Sequence, residues 1–330
     1  MVNQLKEYLL IIDGGTTKTS FTLLEHGDVC AQRTCKVGAS ASSESGKNES
    51  LAEAVKSEIA NLEAEYNGVI IDIYAAGMIT SNAGLKEIPH ITAPVSFETL
   101  AASVVNFRLD EVTRNGQFHF VPGIKFLNQG DCGYDMMRGE EVEIFGALNR
   151  IDKNKTINFI HFGSHNKIIR YENAAITNAI TTISGELLSA ISSDTILKNS
   201  IADIDNGFVM DMDYVRKGYM TAKKNGIGGS LFKVRIGHIM ENYSGNMALS
   251  FVFGILLYDD IFAFMPLLQQ NCDLLVLYGR DSFINAFRAV FDCFEEGTAL
   301  KKKLITIPFD ESKNLSLKGI LRIHENGGRL

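Results

Sequence analysis

The chain has 330 residues, more than one hydrophobic core usually serves, so length alone favours two domains. Hydrophobic residues at 45% and charged residues at 22% are ordinary globular values and exclude a disordered chain, a collagen or a coiled coil. A formal charge of -7, with Lys and Arg scattered along the chain, leaves no electrostatic footprint for nucleic acid.

The apolar run Tyr8 to Ile12 predicts a strand, followed by the turn Asp13-Gly14-Gly15-Thr16-Thr17 and a second strand from Ser20 to Leu24. His26, Gly27 and Asp28 turn the chain into a third strand around Val29 to Thr34. Ser and Gly enrichment over Gly38 to Ser50 predicts a mobile loop. Ser50 and Glu53 form a capping box ahead of Leu51, Val55, Ile59 and Leu62 at helical spacing. Another strand, Val69 to Tyr74, runs on to Gly77. An antiparallel meander followed by alternating helix and strand predicts an α/β fold with a mixed sheet.

The opening is echoed half a chain later. Ile157 to Phe162 predicts a strand, Gly163, Ser164 and His165 a small-residue turn, and Lys167 to Tyr171 the next strand. Weak repetition on this scale suggests two similar domains, 1–150 and 151–330, joined at the polar connector Asn149 to Lys155. Helices are expected at Ser184 to Asn199, Ser230 to Asn242, Met247 to Met265 and Asp281 to Phe294, with a strand at Leu274 to Tyr278.

Five cysteines, Cys30, Cys35, Cys132, Cys272 and Cys293, contain no Cys-x-x-Cys pair, which indicates neither a disulfide framework nor a zinc site and suits a reducing cytoplasm. The apolar stretch Met247 to Tyr258 is shorter than the ~18 to 20 residues of a membrane span, so a buried core helix and no membrane partner are expected.

The first glycine turn carries chemistry. Gly14 and Gly15 let backbone N–H groups approach an anion, Thr16 and Thr17 add hydroxyl donors, and Asp13 can hold a hydrated Mg²⁺ beside phosphates. Lys18 adds a cation. No Walker A spacing surrounds Gly46-Lys47, and no Gly-x-Gly-x-x-Gly follows the first strand, so neither of those nucleotide motifs applies. His161 and His165 have the spacing of a zinc-binding pair, but Phe162 and Gly163 stand where a helical Glu-containing motif is required.

The turn Asp13 to Thr17 resembles the first phosphate motif of the sugar kinase, heat-shock protein and actin superfamily. Three further segments in order resemble 2-dehydro-3-deoxygalactonokinases: Gly77-Met78-Ile79 with Ser81 and Glu87-Ile88-Pro89; Met137-Arg138-Gly139-Glu140-Glu141 with Gly146-Ala147-Leu148; and Gly163-Ser164-His165 with Lys167 and Ile183-Ser184-Gly185-Glu186-Leu187. The resemblance implies two ribonuclease-H-like domains with mixed sheets flanked by helices, an ATP cleft between them, and Mg²⁺-dependent phosphorylation of the 6-hydroxyl of a 2-keto-3-deoxy sugar acid. The chain departs from it at Gly14, where the family usually has Trp, at Asn82-Ala83-Gly84-Leu85, and at His161 to His165.

On that resemblance Gly163, Ser164 and His165 form a second phosphate turn with Lys167 as counter-charge, and Gly279 contacts adenosine. Gly77, Met78, Ser81, Glu87 and Arg138 form the sugar-acid segment, and Asp13 is the Mg²⁺ residue through water. Phosphoryl transfer needs a carboxylate to orient the attacking hydroxyl and take its proton. Asp135, Glu140 and Glu141 are the candidates, with Glu140 first because the superfamily's base opens a helix; capping of a helix start by acidic residues is the plainer alternative. An N-acetylhexosamine kinase of the same superfamily, or a sugar-acid sensor without turnover, are the competing functions. A homodimer is the assembly considered.

Overall fold

The computed structural model describes residues 5–39, 49–127 and 133–327. Most of the expected Gly38 to Ser50 loop, and Cys132, lie outside the described residues.

The first half opens with β1 (Lys6–Gly14), β2 (Thr19–Glu25) and β3 (Asp28–Cys35), then α1 (Glu49–Tyr66) and β4 (Gly68–Gly77). A more broken stretch follows: β5 (Ile91–Thr92), β6 (Val95–Ser96), α2 (Phe97–Ala102), β7 (Val105–Phe107), β8 (Gln117–Phe120), β9 (Ile124–Phe126) and β10 (Asp135–Met137), ending in α3 (Glu140–Ala147). The second half contains β11 (Ile157–Phe162), β12 (Asn166–Glu172), β13 (Ala175–Thr182), α4 (Ser184–Asp194), α5 (Met212–Met240), α6 (Gly245–Leu268), β14 (Leu274–Gly279), α7 (Asp281–Ala289), β15 (Leu304–Thr306) and, after one short turn of helix, α8 (Leu315–Gly327).

The sequence echo has a topological counterpart. The first sheet runs β3-β2-β1-β4-β8-β7 and the second β15-β14-β11-β12-β13-β6. In both, three antiparallel strands are followed by two parallel ones: β1 pairs β2 antiparallel and β4 parallel, as β11 pairs β12 antiparallel and β14 parallel. β4 then pairs β8 in parallel, as β14 pairs β15. This shared order, flanked by helices, is the duplicated ribonuclease-H-like fold of two-domain ATPases.

The halves exchange pieces near the expected junction at 150. β6, from the first half, pairs β13 of the second sheet. α8, at the end of the chain, lies against α3, with Arg322 donating to the Phe145 carbonyl at 2.6 Å. Three cores result. Leu51, Val55, Ile59 and Leu62 of α1 pack on Leu10, Ile12 and Phe21 of the first sheet. α4, α5, α6 and α7 cover one face of the second. The third core joins the halves, placing Ile11 and Tyr74 with Phe159, Tyr278, Val142 of α3 and Ile320 of α8.

Helix boundaries differ from the sequence expectation in instructive ways. The helix expected from Ser230 extends back to Met212, through a break at Gly226 (φ 73°, ψ 173°), because burial of Val215, Tyr219 and Ala222 outweighs the glycine-rich Gly226 to Gly229. The stretch expected from Met247 is the 24-residue α6, long and apolar enough to cross a membrane by length and composition; 67% of its most apolar window is buried in the fold. The helix expected to reach Phe294 ends at Ala289, before a short 3₁₀ turn over Phe291–Cys293.

Candidate functional site

β1 and β4 end side by side, with Asp13 beside Ala76 and Gly14 beside Gly77 in parallel register. The first turn therefore meets the sugar-acid segment. Gly77 has φ +80°, and a Cβ there would lie 2.5 Å from the Gly14 carbonyl oxygen. A Cβ at Gly14 would lie 2.6 Å from Ile79 Cβ, so the backbone of the first turn packs directly on the start of the 78–90 segment. Within the turn, Gly15 N–H donates to the Lys18 carbonyl at 2.9 Å, while Thr17 and Lys18 face solvent.

The start of α3 brings the carboxylates together. Glu140 Oε2 accepts from the Arg138 N–H at 3.1 Å. Its other oxygen lies 3.6 Å from Lys167 Nζ and 3.9 Å from His161 Nδ1, both on the second sheet. Burial opposes ionisation of Glu140, but Lys167, His161 and backbone N–H groups outweigh it and hold the carboxyl below its ordinary range. Glu140 is thus an ionised carboxylate in a largely dry site.

The neighbours differ. Glu141 turns both oxygens back onto Gly139 N–H, at 2.9 and 2.8 Å, and burial together with the Glu140 charge pushes it up to about 8. It caps the helix start. Asp135 accepts from Thr181 N–H and Oγ1 at 2.7 and 2.8 Å, tying β10 to β13. Lys167 donates to Met136 O and Thr181 Oγ1, both at 3.0 Å, so its ammonium neutralises Glu140 and braces β10, where the sequence had set it against phosphate. Arg138 donates to Thr80 O at 2.7 Å and to Ile88 O at 2.9 Å, with His90 Nδ1 at 3.2 Å, and so holds the 78–90 segment in place. Ser81 Oγ donates to Met78 O at 2.7 Å inside that segment, and Glu87 is exposed.

A residue that sequence reasoning passed over completes this centre. Glu143, one turn along α3, faces Asp13 and Tyr278, and burial drives its carboxyl well above the ordinary range. Burial likewise raises Asp13, which has Ser316 and Glu140 as neighbours. Among the described residues, the buried side-chain polar atoms without a hydrogen-bond partner are Glu143 Oε2, His161 Nδ1, Tyr278 OH and Ser316 Oγ, and all four border this one centre. Tyr278 stands beside Glu143 and Ser316 beside Asp13, so these atoms form one knot of buried polar groups. The i, i+3 spacing of Glu140 and Glu143 was the available sequence signal.

The second turn is held from behind. Gly163 N–H donates to Asn166 Oδ1 at 3.2 Å, and Asn166 Nδ2 donates to the fully buried Asp260 of α6 at 2.8 Å. Thr182 and Ser184 hydroxyls also donate to Asp260, each at 2.5 Å, and burial moves its carboxyl up to about 6. Ser164 O accepts from Glu186 N–H at 2.9 Å, setting the turn against α4, and His165 Nε2 lies 3.3 Å from Glu186 Oε1. Beyond the turn opens a cavity of 1130 Å³ lined in part by Gly185, Ser189, Lys198, Arg280, Asp281 and Asn285. Gly279, with φ +104°, passes so close to Phe162 O that a Cβ would lie 2.2 Å from it, and this places Arg280 at the cavity wall.

Fold and centre together define a phosphotransferase architecture with two related mixed sheets, a glycine turn after the first strand of each, and a carboxylate held ionised at the start of α3. The chain belongs to the 2-keto-3-deoxy-galactonokinase family, which matches residues 13–306. It is 22% identical over 249 residues to the 2-dehydro-3-deoxygalactonokinase of Escherichia coli, covering 75% of this chain and 77% of that protein. Its fold matches the crystal structure of a Sinorhizobium meliloti protein provisionally named a 2-dehydro-3-deoxygalactonokinase, with a TM-score of 0.77, 19% identity, and coverage of 97% of this chain and 99% of that one. The protein is a sugar kinase, a phosphotransferase with an alcohol group as acceptor, and its family implies ATP as donor.

Proposed function

We propose that the protein transfers the γ-phosphoryl group of ATP to the 6-hydroxyl of a 2-keto-3-deoxy sugar acid, foremost 2-dehydro-3-deoxygalactonate. The observation that carries this reading is Glu140, held ionised at a helix start and set 3.6 Å from Lys167 of the second sheet. Such a carboxylate can orient the attacking hydroxyl and accept its proton.

The remaining roles follow from position. Gly14, Gly15, Thr16, Thr17 and Lys18 take the phosphates from the first unit, 1–150, and Gly163, Ser164 and His165 from the second, 151–330. The 1130 Å³ cavity beside Gly185 and Arg280 has room for a nucleoside, with Gly279 shaping its wall and Arg280 as a cation for the phosphates. The 77–87 segment, held by Arg138, supplies Gly77, Met78 and Ser81 to the sugar acid.

Among the described residues no group of three or more carboxylate, histidine or cysteine side chains is set to hold a metal directly, so a divalent cation would be held through water, by Asp13. Mg²⁺ bound there would neutralise charge on the β- and γ-phosphates. Asp13 would hold such a cation through water, Glu140 takes the hydroxyl proton, and closure of the two units excludes water from the transfer.

The test is coupled ADP release with 2-keto-3-deoxygalactonate, 2-keto-3-deoxygluconate and N-acetylglucosamine side by side, repeated with Asp13→Ala and Glu140→Ala. Turnover with the first substrate, and its loss in both folded variants, is expected. Preference for N-acetylglucosamine, or full activity in both variants, would overturn the assignment.

A further inference from the structure

His161 is the member of this centre to which the proposed chemistry gives no task. It ends β11 opposite Lys167 on one side and Tyr278 on the other. Its ring is wedged in place. The Tyr278 ring lies 4.9 Å away, centroid to centroid, and on another side the ring crowds Gly163, where a Cβ would stand 2.7 Å from His161 Cε1. One edge of the imidazole thus borders the second phosphate turn. Its Nδ1 is buried, lacks a partner, and lies 3.9 Å from Glu140 Oε1.

That separation is about 1 Å longer than a hydrogen bond. Glu140 belongs to α3 and His161 to the second sheet, and catalytic hydrogen bonds between side chains of different elements commonly tighten only with substrate bound. Burial, helped by the charges of Lys167 and Arg280, outweighs the Glu140 carboxylate and favours the neutral imidazole. A neutral imidazole carries one N–H, and the carboxylate recorded beside Nδ1 is that of Glu140.

We propose that His161 is a positioning residue for Glu140: on closure its Nδ1–H donates to Glu140 Oε1 and fixes the carboxylate toward the acceptor hydroxyl. The same ring couples this alignment to the phosphate turn through Gly163. No proton leaves His161 in the step; the hydroxyl proton goes to Glu140. The inference rests on the reading of Glu140 as the base.

Three substitutions separate the donor from the shape. Asn places an amide N–H near the Nδ1 position, Gln near the Nε2 position, and Leu keeps bulk without a donor. We expect His161→Leu and His161→Gln to lower kcat by about 10- to 100-fold with KM for both substrates within about threefold, and His161→Asn to retain kcat within about fivefold of the parent. Wild-type kcat in a folded His161→Leu, or equal loss in the Asn and Leu variants at unchanged Tm, would overturn the proposal. Long-range ¹H–¹⁵N NMR of the histidine rings supplies a readout that needs no sugar. The Nδ1–H tautomer of His161, with a resonance displaced by Glu140→Gln, is expected; an unprotonated Nδ1 would overturn the pairing even in an active kinase. Absence of turnover with every sugar acid would instead defeat the kinase reading while leaving the NMR result to judge the pair.

Discussion

Lys167 Nζ stands 3.6 Å from Glu140 Oε1, an ammonium of the second sheet set against a carboxylate at the start of α3. Both side chains are largely buried, 5% and 15% exposed, so the attraction is little screened. The pair brings together two segments that are separate in the chain and similar in neither motif nor composition.

Removing the cation exposes what it does. Burial alone favours protonated Glu140, and Lys167 is the largest influence opposing it. In Lys167→Met the carboxyl therefore rises, the base is lost at a higher pH, and the acidic limb of the kcat–pH profile moves upward. At neutral pH kcat is expected to fall by about 10-fold or more. An unmoved acidic limb would show that Glu140 is not the group whose ionisation turnover requires.

Gly77 tests the convergence of the first turn and the sugar-acid segment. Its φ of +80° and ψ of -154° lie in a region open essentially only to glycine, and a Cβ would strike the Gly14 carbonyl. Gly77→Ala is expected to cost about 2 kcal/mol or more in urea unfolding and to depress turnover with the loss. Parent-like stability would mean that the β4 end relaxes without consequence.

Asp260 tests the support behind the second turn. Asp260→Ala leaves Asn166, Thr182 and Ser184 without their shared acceptor, which is expected to cost roughly 3 kcal/mol and to raise KM for ATP more than it lowers kcat. A pH effect accompanies it. The folded carboxyl, at about 6, binds its proton more tightly than the unfolded one, so this group's contribution to stability declines as pH rises from ~4 to 6. Asp260→Asn should flatten that window in denaturation curves taken across it; an unchanged slope would place the titration elsewhere.

Much of the architecture was legible because it is local. Alternating apolar residues followed by a glycine turn specify β1 and β2, and the same pattern at Ile157 specifies β11 and β12. The amphipathic spacing of Leu51, Val55, Ile59 and Leu62 specifies α1, and the four buried positions are these same residues. The two glycine turns were legible for a related reason, since glycine beside hydroxyl residues is a backbone requirement written directly into the chain. The long α5 was not, because its first half is stabilised by burial against α6 and its local signal at Gly226 argues for a break.

Side-chain chemistry in the centre followed a different logic. From the sequence, Glu140 came first among three carboxylate candidates, Lys167 was set against phosphate and Arg138 against the substrate. Folding separates Glu140, ionised by Lys167, from Glu141, folded back on Gly139 and held at about 8, and it engages Arg138 with Thr80 and Ile88. By itself the sequence determined the two glycine turns, the duplicated strand order and the carboxylates available at α3, because these depend on backbone geometry and short-range pattern. Only the tertiary structure decided which carboxylate carries charge and which cation faces it, because burial and Coulomb interaction depend on distances between β12 and α3 that no local spacing encodes.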